Sequence, residues 1–167
     1  MARMSACSTL LPALSGEPIR VEIRRSLGAH LAATSIPGRV ILLDREVLAR
    51  PGEFERILVH EVFHFVWVRL GNPLRRGWEG VLEREFLQRA RGELGWSAEW
   101  RKCKLSAGAP RSRTPAWRRY VCESFCDSAA WMFAGLTRHG EFTLPWRFRR
   151  GRRAWFERNF GAGPVRI

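Results

Sequence analysis

The sequence predicts one α+β domain, a short mixed or antiparallel sheet with a hairpin packed on a buried helix that a second long helix faces. Three observations lead there. Residues 18–44 alternate apolar and polar side chains around a single turn signal, as half-buried strands do. Residues 53–70 form an apolar stretch too long for a strand and bounded by helix signals. Residues 115–136 open on Thr114-Pro115, an N-cap followed by proline in the first turn.

The elements follow in order. Residues 1–17 carry no usable periodicity and are expected to be loose; one arginine and a thin apolar patch broken by Pro12 make a poor signal peptide. Ile19, Val21 and Ile23 alternate with charged residues, which predicts a strand with one buried face. Residues 29–34 and 39–44 flank Ser35-Ile-Pro-Gly38 and read as a hairpin, with His30 as an ordinary strand or surface histidine. A short helix over 45–50 stops at Pro51-Gly52. The main helix then begins with Glu53 and Glu55, whose charge suits a helix N-terminus, and ends at Gly71-Asn72-Pro73. Val81, Leu82, Phe86 and Ala90 predict another helix over 78–91. Residues 92–104 are ambiguous, and residues 105–115, rich in small residues, proline and arginine, read as a loop bordering a cleft. The helix from Pro115 runs to about Leu136, and residues 141–167 form a basic, aromatic C-terminal segment. No repeat divides the chain, so one domain spans 1–167.

With 29 basic and 16 acidic residues the net charge is +13, and all but Lys102 and Lys104 of the basic residues are arginine. Such a balance favours nucleic acid, anionic surfaces or acidic proteins as partners, unless it reflects composition alone. Trp146, Phe148, Trp155 and Phe156 lie among six arginines from Arg147 to Arg158. That pattern fits single-stranded nucleic acid, and it fits better a segment docked on the core with its arginines in water. No apolar run reaches membrane-span length, and four cysteines without a dense framework point to the cytoplasm. The sequence sets no oligomeric state.

Between Ile57 and Val68 the only polar residues are His60, Glu61 and His64. At i and i+4 the two imidazoles share one helical face, the bite that tetrahedral zinc accepts. Glu61 stands beside His60, within reach of a metal-bound water whose pKa zinc lowers to about 7. Leaving all three groups buried without such a role costs several kcal/mol.

A catalytic site needs a third protein ligand, and residues 120–131 offer two candidate sets. Glu123 follows His64 by 123 − 64 = 59 positions, and Asp127 lies one turn further on the same face. In that arrangement Glu123 ligates zinc and Asp127 accepts the free ring N–H of a ligand histidine. The alternative is a closed, non-catalytic tetrahedron of His60, His64, Cys122 and Cys126. It leaves Glu61, Glu123 and Asp127 without a role, so the carboxylate set is preferred.

His60-Glu61-x-x-His64 followed by Glu123-x-x-x-Asp127 resembles the gluzincin group of zinc metallopeptidases, which includes thermolysin-like and neprilysin-like enzymes. The strand and hairpin ahead of a buried helix are similar to small SprT-like and ImmA/IrrE-like peptidase domains. The resemblance implies a zincin-like fold, one zinc ion on His60, His64 and Glu123, Glu61 as general base, and a peptide or protein substrate laid along the sheet edge. SprT-like peptidases act on DNA-bound proteins, which bears on the basic charge. The chain is far shorter than thermolysin, and no asparagine precedes Glu123. For the oxyanion donor, Tyr120, the only tyrosine, is the first candidate and His139 its rival.

Overall fold

The computed structural model describes residues 11–167. The expected looseness of residues 1–17 and the reading of the leader thus fall partly outside the described residues. Within them the expectation fails: β1 (Leu14–Ser15) pairs in parallel with β5 (Val165–Arg166) at the other end of the chain. Gly16 follows with φ 130°, and a Cβ there would lie 2.4 Å from the Ile167 carbonyl oxygen, so the close approach requires glycine.

The main sheet is mixed, with β2 (Arg20–Arg24), β4 (Val40–Asp44) and β3 (Ala32–Ser35) in that spatial order. β3 and β4 form the expected antiparallel hairpin, and β2 joins β4 in parallel. β4 is central, with Ile41 and Leu43 fully buried. β2 departs from its expected buried face: Val21 and Ile23 are 44% and 42% exposed. The helical layer packs on β3 and leaves β2 at the far edge, where alternation has no surface to cover it. Asp44 ends the sheet and caps the 3-10 turn Arg45–Ala49, accepting from the amides of Glu46 and Leu27.

α1 (Glu53–Arg69) has the expected bounds and buries Ile57, Val59, Val62, Phe63, Phe65 and Val66. α2 (Asn72–Leu87) starts six residues earlier than expected because Pro73 takes a first-turn position, where its missing N–H costs nothing. The ambiguous stretch holds α3 (Trp96–Lys102), and the loop contains one helical turn, α4 (Ala109–Ser112). α5 (Pro115–Phe133) is capped by Thr114, whose side chain accepts from the Trp117 amide.

α5 lies against α1 and α3. The C-terminal segment forms α6 (Trp146–Phe160), docked with Phe148, Arg152, Trp155 and Phe156 inward. Phe125 of α5 stacks on Phe156 at 5.2 Å between centroids, and Trp78 of α2 meets both Phe156 and Trp155. One polar network sits inside this core. Arg152, with no exposed surface, donates to Glu85, Glu93 and Ser128, while Lys102 and Tyr120 donate to Glu93. Two cations face two carboxylates, so the buried charge balances.

Candidate metal centre

α1 and α5 bring the sequence-predicted ligands to one point. His60 Nε2 lies 3.2 Å from His64 Nε2 and 3.3 Å from Glu123 Oε2, and His64 Nε2 lies 4.0 Å from that oxygen. Donors about 2.0–2.1 Å from a tetrahedral ion stand roughly 3.3–3.4 Å apart, so these three atoms nearly span one face of a zinc coordination shell. The side chains of His60 and Glu123 are 9% and 15% exposed, that of His64 21%, so the open side faces the His64 end.

Asp127, 1% exposed, accepts from His60 Nδ1 at 2.7 Å. That bond fixes the proton on Nδ1 and leaves the Nε2 lone pair for a metal. The other Asp127 oxygen accepts from the Ala98 amide at 2.9 Å, so α3 holds the carboxylate that holds the histidine. Gly95 makes room for it: a Cβ there would lie 2.2 Å from Asp127 Cγ.

Burial pushes the Glu123 carboxyl up, but the hydrogen bond and charge of His60, with His64 and Arg101, outweigh it and hold it at about 2. Burial likewise disfavours charge on His60, and Asp127 outweighs it, raising that imidazole well above its usual range. A bound cation would take over this stabilisation of the carboxylates from the ring protons.

Glu61 lines the cleft beside His60, and Thr34 of β3 donates to its Oε2 at 2.6 Å. The cavity on one side of Glu61, about 350 Å³, is walled by Leu31 and Ala32 at the start of β3 and by Trp96 and Ser97 of α3. A smaller one, about 190 Å³, continues on the other side between Ile36, His64 and Trp67. Glu61 stands at their junction.

The cysteines meet the other ring nitrogen of His64, and Cys122 also lines the smaller cavity. Cys126 Sγ and Cys122 Sγ lie 3.5 and 3.7 Å from His64 Nδ1, whereas His60 and Glu123 meet its Nε2. Donors of His60, His64 and Cys126 do come within 4.8 Å of one another. One ion takes only one nitrogen of an imidazole, however, and the Nε2 choice gathers both histidines and the carboxylate. The hydrogen bond from Cys126 draws the Cys122 thiol down to about 6, against burial and aided by His64.

The two expected oxyanion donors are engaged elsewhere. Tyr120 is 1% exposed and its hydroxyl donates to Glu93 at 2.5 Å, inside the Arg152 network. Although it stands three residues before Glu123 and is so its helical neighbour, its ring turns toward Glu93 and away from the two histidines. His139 sits in a second cluster, 3.1 Å from Glu53, with its Nδ1 accepting from the Glu141 amide. Arg56 donates to both carboxylates of that cluster and satisfies it as an ion-pair network.

Arg101 was not foreseen. It reaches Glu123 Oε1 at 3.1 Å from the short α3, a segment whose helical signal is too brief to read. Thr34 likewise gave no signal, because only the strand pairing brings it to Glu61. Among the described residues no helix is long and apolar enough to cross a membrane. In comparisons with known proteins the chain matches no family model, no curated protein and no solved structure.

Proposed function

We propose that this protein is a zinc-dependent peptidase of the HExxH type. The observation that carries the reading is the convergence of His60 Nε2, His64 Nε2 and Glu123 Oε2 within 3.2–4.0 Å of one another, with Asp127 fixing the His60 tautomer. The donor set of two neutral imidazoles and one carboxylate suits zinc with a position left for water. A zinc ion held there supplies a polarised water and a Lewis acid for the scissile carbonyl.

The chain's own residues do the rest. Glu61 takes the proton from the attacking water and returns it to the leaving amine, so it must be ionised before the reaction and oriented throughout it. The Thr34 hydroxyl orients it. Asp127 holds His60, and the Ala98 amide holds Asp127. Arg101 secures the second oxygen of Glu123 and so helps to hold that carboxylate in place.

The experiment combines metal analysis with hydrolysis of an unfolded protein substrate. The wild type should hold one zinc per chain. Glu61→Gln should keep the zinc and lose activity by about a hundredfold or more. Glu123→Ala should lose most zinc affinity, and Asp127→Ala should weaken it about ten- to a hundredfold. Zinc kept in Glu123→Ala and lost when Cys122 and Cys126 are both replaced by alanine would establish the structural site instead.

A further inference from the structure

Behind Trp67, away from the metal centre, lies a second pocket of about 180 Å³ between the end of α1, the start of α2 and the first turns of α5. Arg75, Arg76, Arg113 and Arg118 line it, with Glu79 as the single carboxylate, so its lining carries 4 − 1 = +3. Glu79 is already committed. It is 5% exposed and accepts from Arg113 Nε and Trp117 Nε1 at 2.9 and 2.8 Å.

Arg75 is held in place by the carbonyls of Trp67 and Val68 and lies over the Trp67 ring. Arg76 and Arg118 are exposed and have no carboxylate partner among the described residues. The Arg113 backbone is left-handed, φ 45°, an unfavourable conformation for a side-chain-bearing residue.

An independent feature points the same way. Asn72, which lines the pocket, is the first residue of the 16-residue α2, whose N-cap Gly71 offers no side-chain acceptor. Pro73 carries no N–H and the Arg75 amide already bonds the Gly71 carbonyl, so what the helix start brings to the pocket is Asn72 and the positive end of the helix dipole. A helix start and four guanidiniums thus converge on one small space. Four other cavities among the described residues hold at most two arginines each.

We propose that this pocket is an oxyanion site for a terminal phosphate group, free or on a small phosphomonoester. Planar guanidiniums match phosphate oxygens in pairs, and a lining of +3 suits a dianion better than a single carboxylate. At about 180 Å³ the space is below the range that takes drug-sized ligands, roughly 300–1,000 Å³, which selects the phosphate group itself.

The test is titration with inorganic phosphate at fixed ionic strength, followed by calorimetry and phosphorus NMR, on the full chain and without any assay of hydrolysis. Its outcome is thus independent of the peptidase reading. Saturable binding at one site with a Kd of about 1 mM or tighter is expected. Replacing Arg76 and Arg118 together by alanine should weaken it about tenfold or more, since two charge-assisted contacts are lost. Both residues are exposed, and circular dichroism checks that the fold is kept.

Replacing Arg147 and Arg150 on the exposed face of α6 removes the same charge and should change the Kd less than about twofold. Three results would overturn the proposal. One is no saturation by about 20 mM phosphate. Another is equal weakening in the α6 variant, which would make the effect one of net charge. The third is an oligonucleotide without terminal phosphates competing as well as phosphate through Arg76 and Arg118, which would make the pocket part of a nucleic-acid surface.

Discussion

Replacing Arg152 by methionine keeps much of the side chain's length and removes its charge from a site with no exposed surface. The wild-type guanidinium donates to Glu85 at 2.6 Å, to Glu93 at 2.7 Å and to Ser128 at 3.1 Å. After the change Glu93 keeps Lys102 and Tyr120, but Glu85 loses its buried partner. Breaking a buried pair on one side costs about 3–5 kcal/mol. For a domain of this size each kcal/mol shifts the midpoint about 2–4 °C, so the variant should melt roughly 6–20 °C lower.

The pH dependence carries a sign. Burial pushes the Glu93 carboxyl up, and Arg152 and Lys102 overcome it and hold it at about 2, below the free value of 4.5. A depressed carboxyl stabilises above the unfolded pKa, so this contribution is full at neutral pH and is lost as pH falls from about 4.5 toward 2. In the variant the Glu93 carboxyl, without the Arg152 charge, protonates at higher pH and part of the penalty is relieved. The gap between wild type and variant should therefore be widest near pH 7 and narrow on acidification below about 4.5. Urea denaturation with a chelator present, followed by circular dichroism, measures it. A loss below about 1 kcal/mol at pH 7, or a gap that widens with acid, would refute the account.

Three further outcomes are expected. Thr34→Val removes the donor to Glu61 and should lower kcat about tenfold with zinc content unchanged; an unaltered kcat would mean that the hydroxyl does not hold the base. With Cys122 and Cys126 both changed to alanine, zinc should be retained, and the cobalt-substituted wild type should lack thiolate charge-transfer absorption; such a band would move the metal to the other nitrogen of His64. Truncation after Leu144 strips Phe148, Trp155 and Phe156 from the core, where deleting even one large aromatic costs about 3–5 kcal/mol, so cooperative unfolding should disappear; a truncated chain with a sharp urea transition would show the segment to be an appendage.

The gathering of His60, His64, Glu123 and Asp127 was legible in the sequence where the helical period makes sequence separation a statement about direction. His60 with His64, and Glu123 with Asp127, each lie one turn apart on a long helix, so four residues and their facing could be written down before any packing was known. Tyr120 marks the limit of that reasoning. Three positions from Glu123 it is a helical neighbour, yet its ring turns toward Glu93, whose place comes from a loop with no periodic signal. Arg101, Thr34 and the Ala98 amide reach the site only through tertiary contacts of α3 and β3.

Exposure of Val21 and Ile23 was hidden for a related reason. Alternation tells which residues share a face but not whether anything covers it. The docking of the C-terminal segment, in contrast, was readable from aromatic residues spaced among arginines, since only one face of a helix can be apolar in such a pattern.

The parallel pairing of β1 with β5 has a kinetic meaning. It joins Leu14 to Val165 across 165 − 14 = 151 positions, with a few hydrogen bonds that include Val165 N to Ala13 O and Ile167 N to Ser15 O. Closing a flexible loop of that length costs about 4 kcal/mol and more, against roughly 1 kcal/mol for each hydrogen bond. Two residues of ladder cannot draw the ends together by themselves. They meet only after the helices have collapsed and brought Val165 and Ile167 onto the core, so this seam closes among the final events of folding and opens among the first of unfolding. A donor and acceptor dye placed near residues 13 and 166 would time that closure apart from the formation of the helical core.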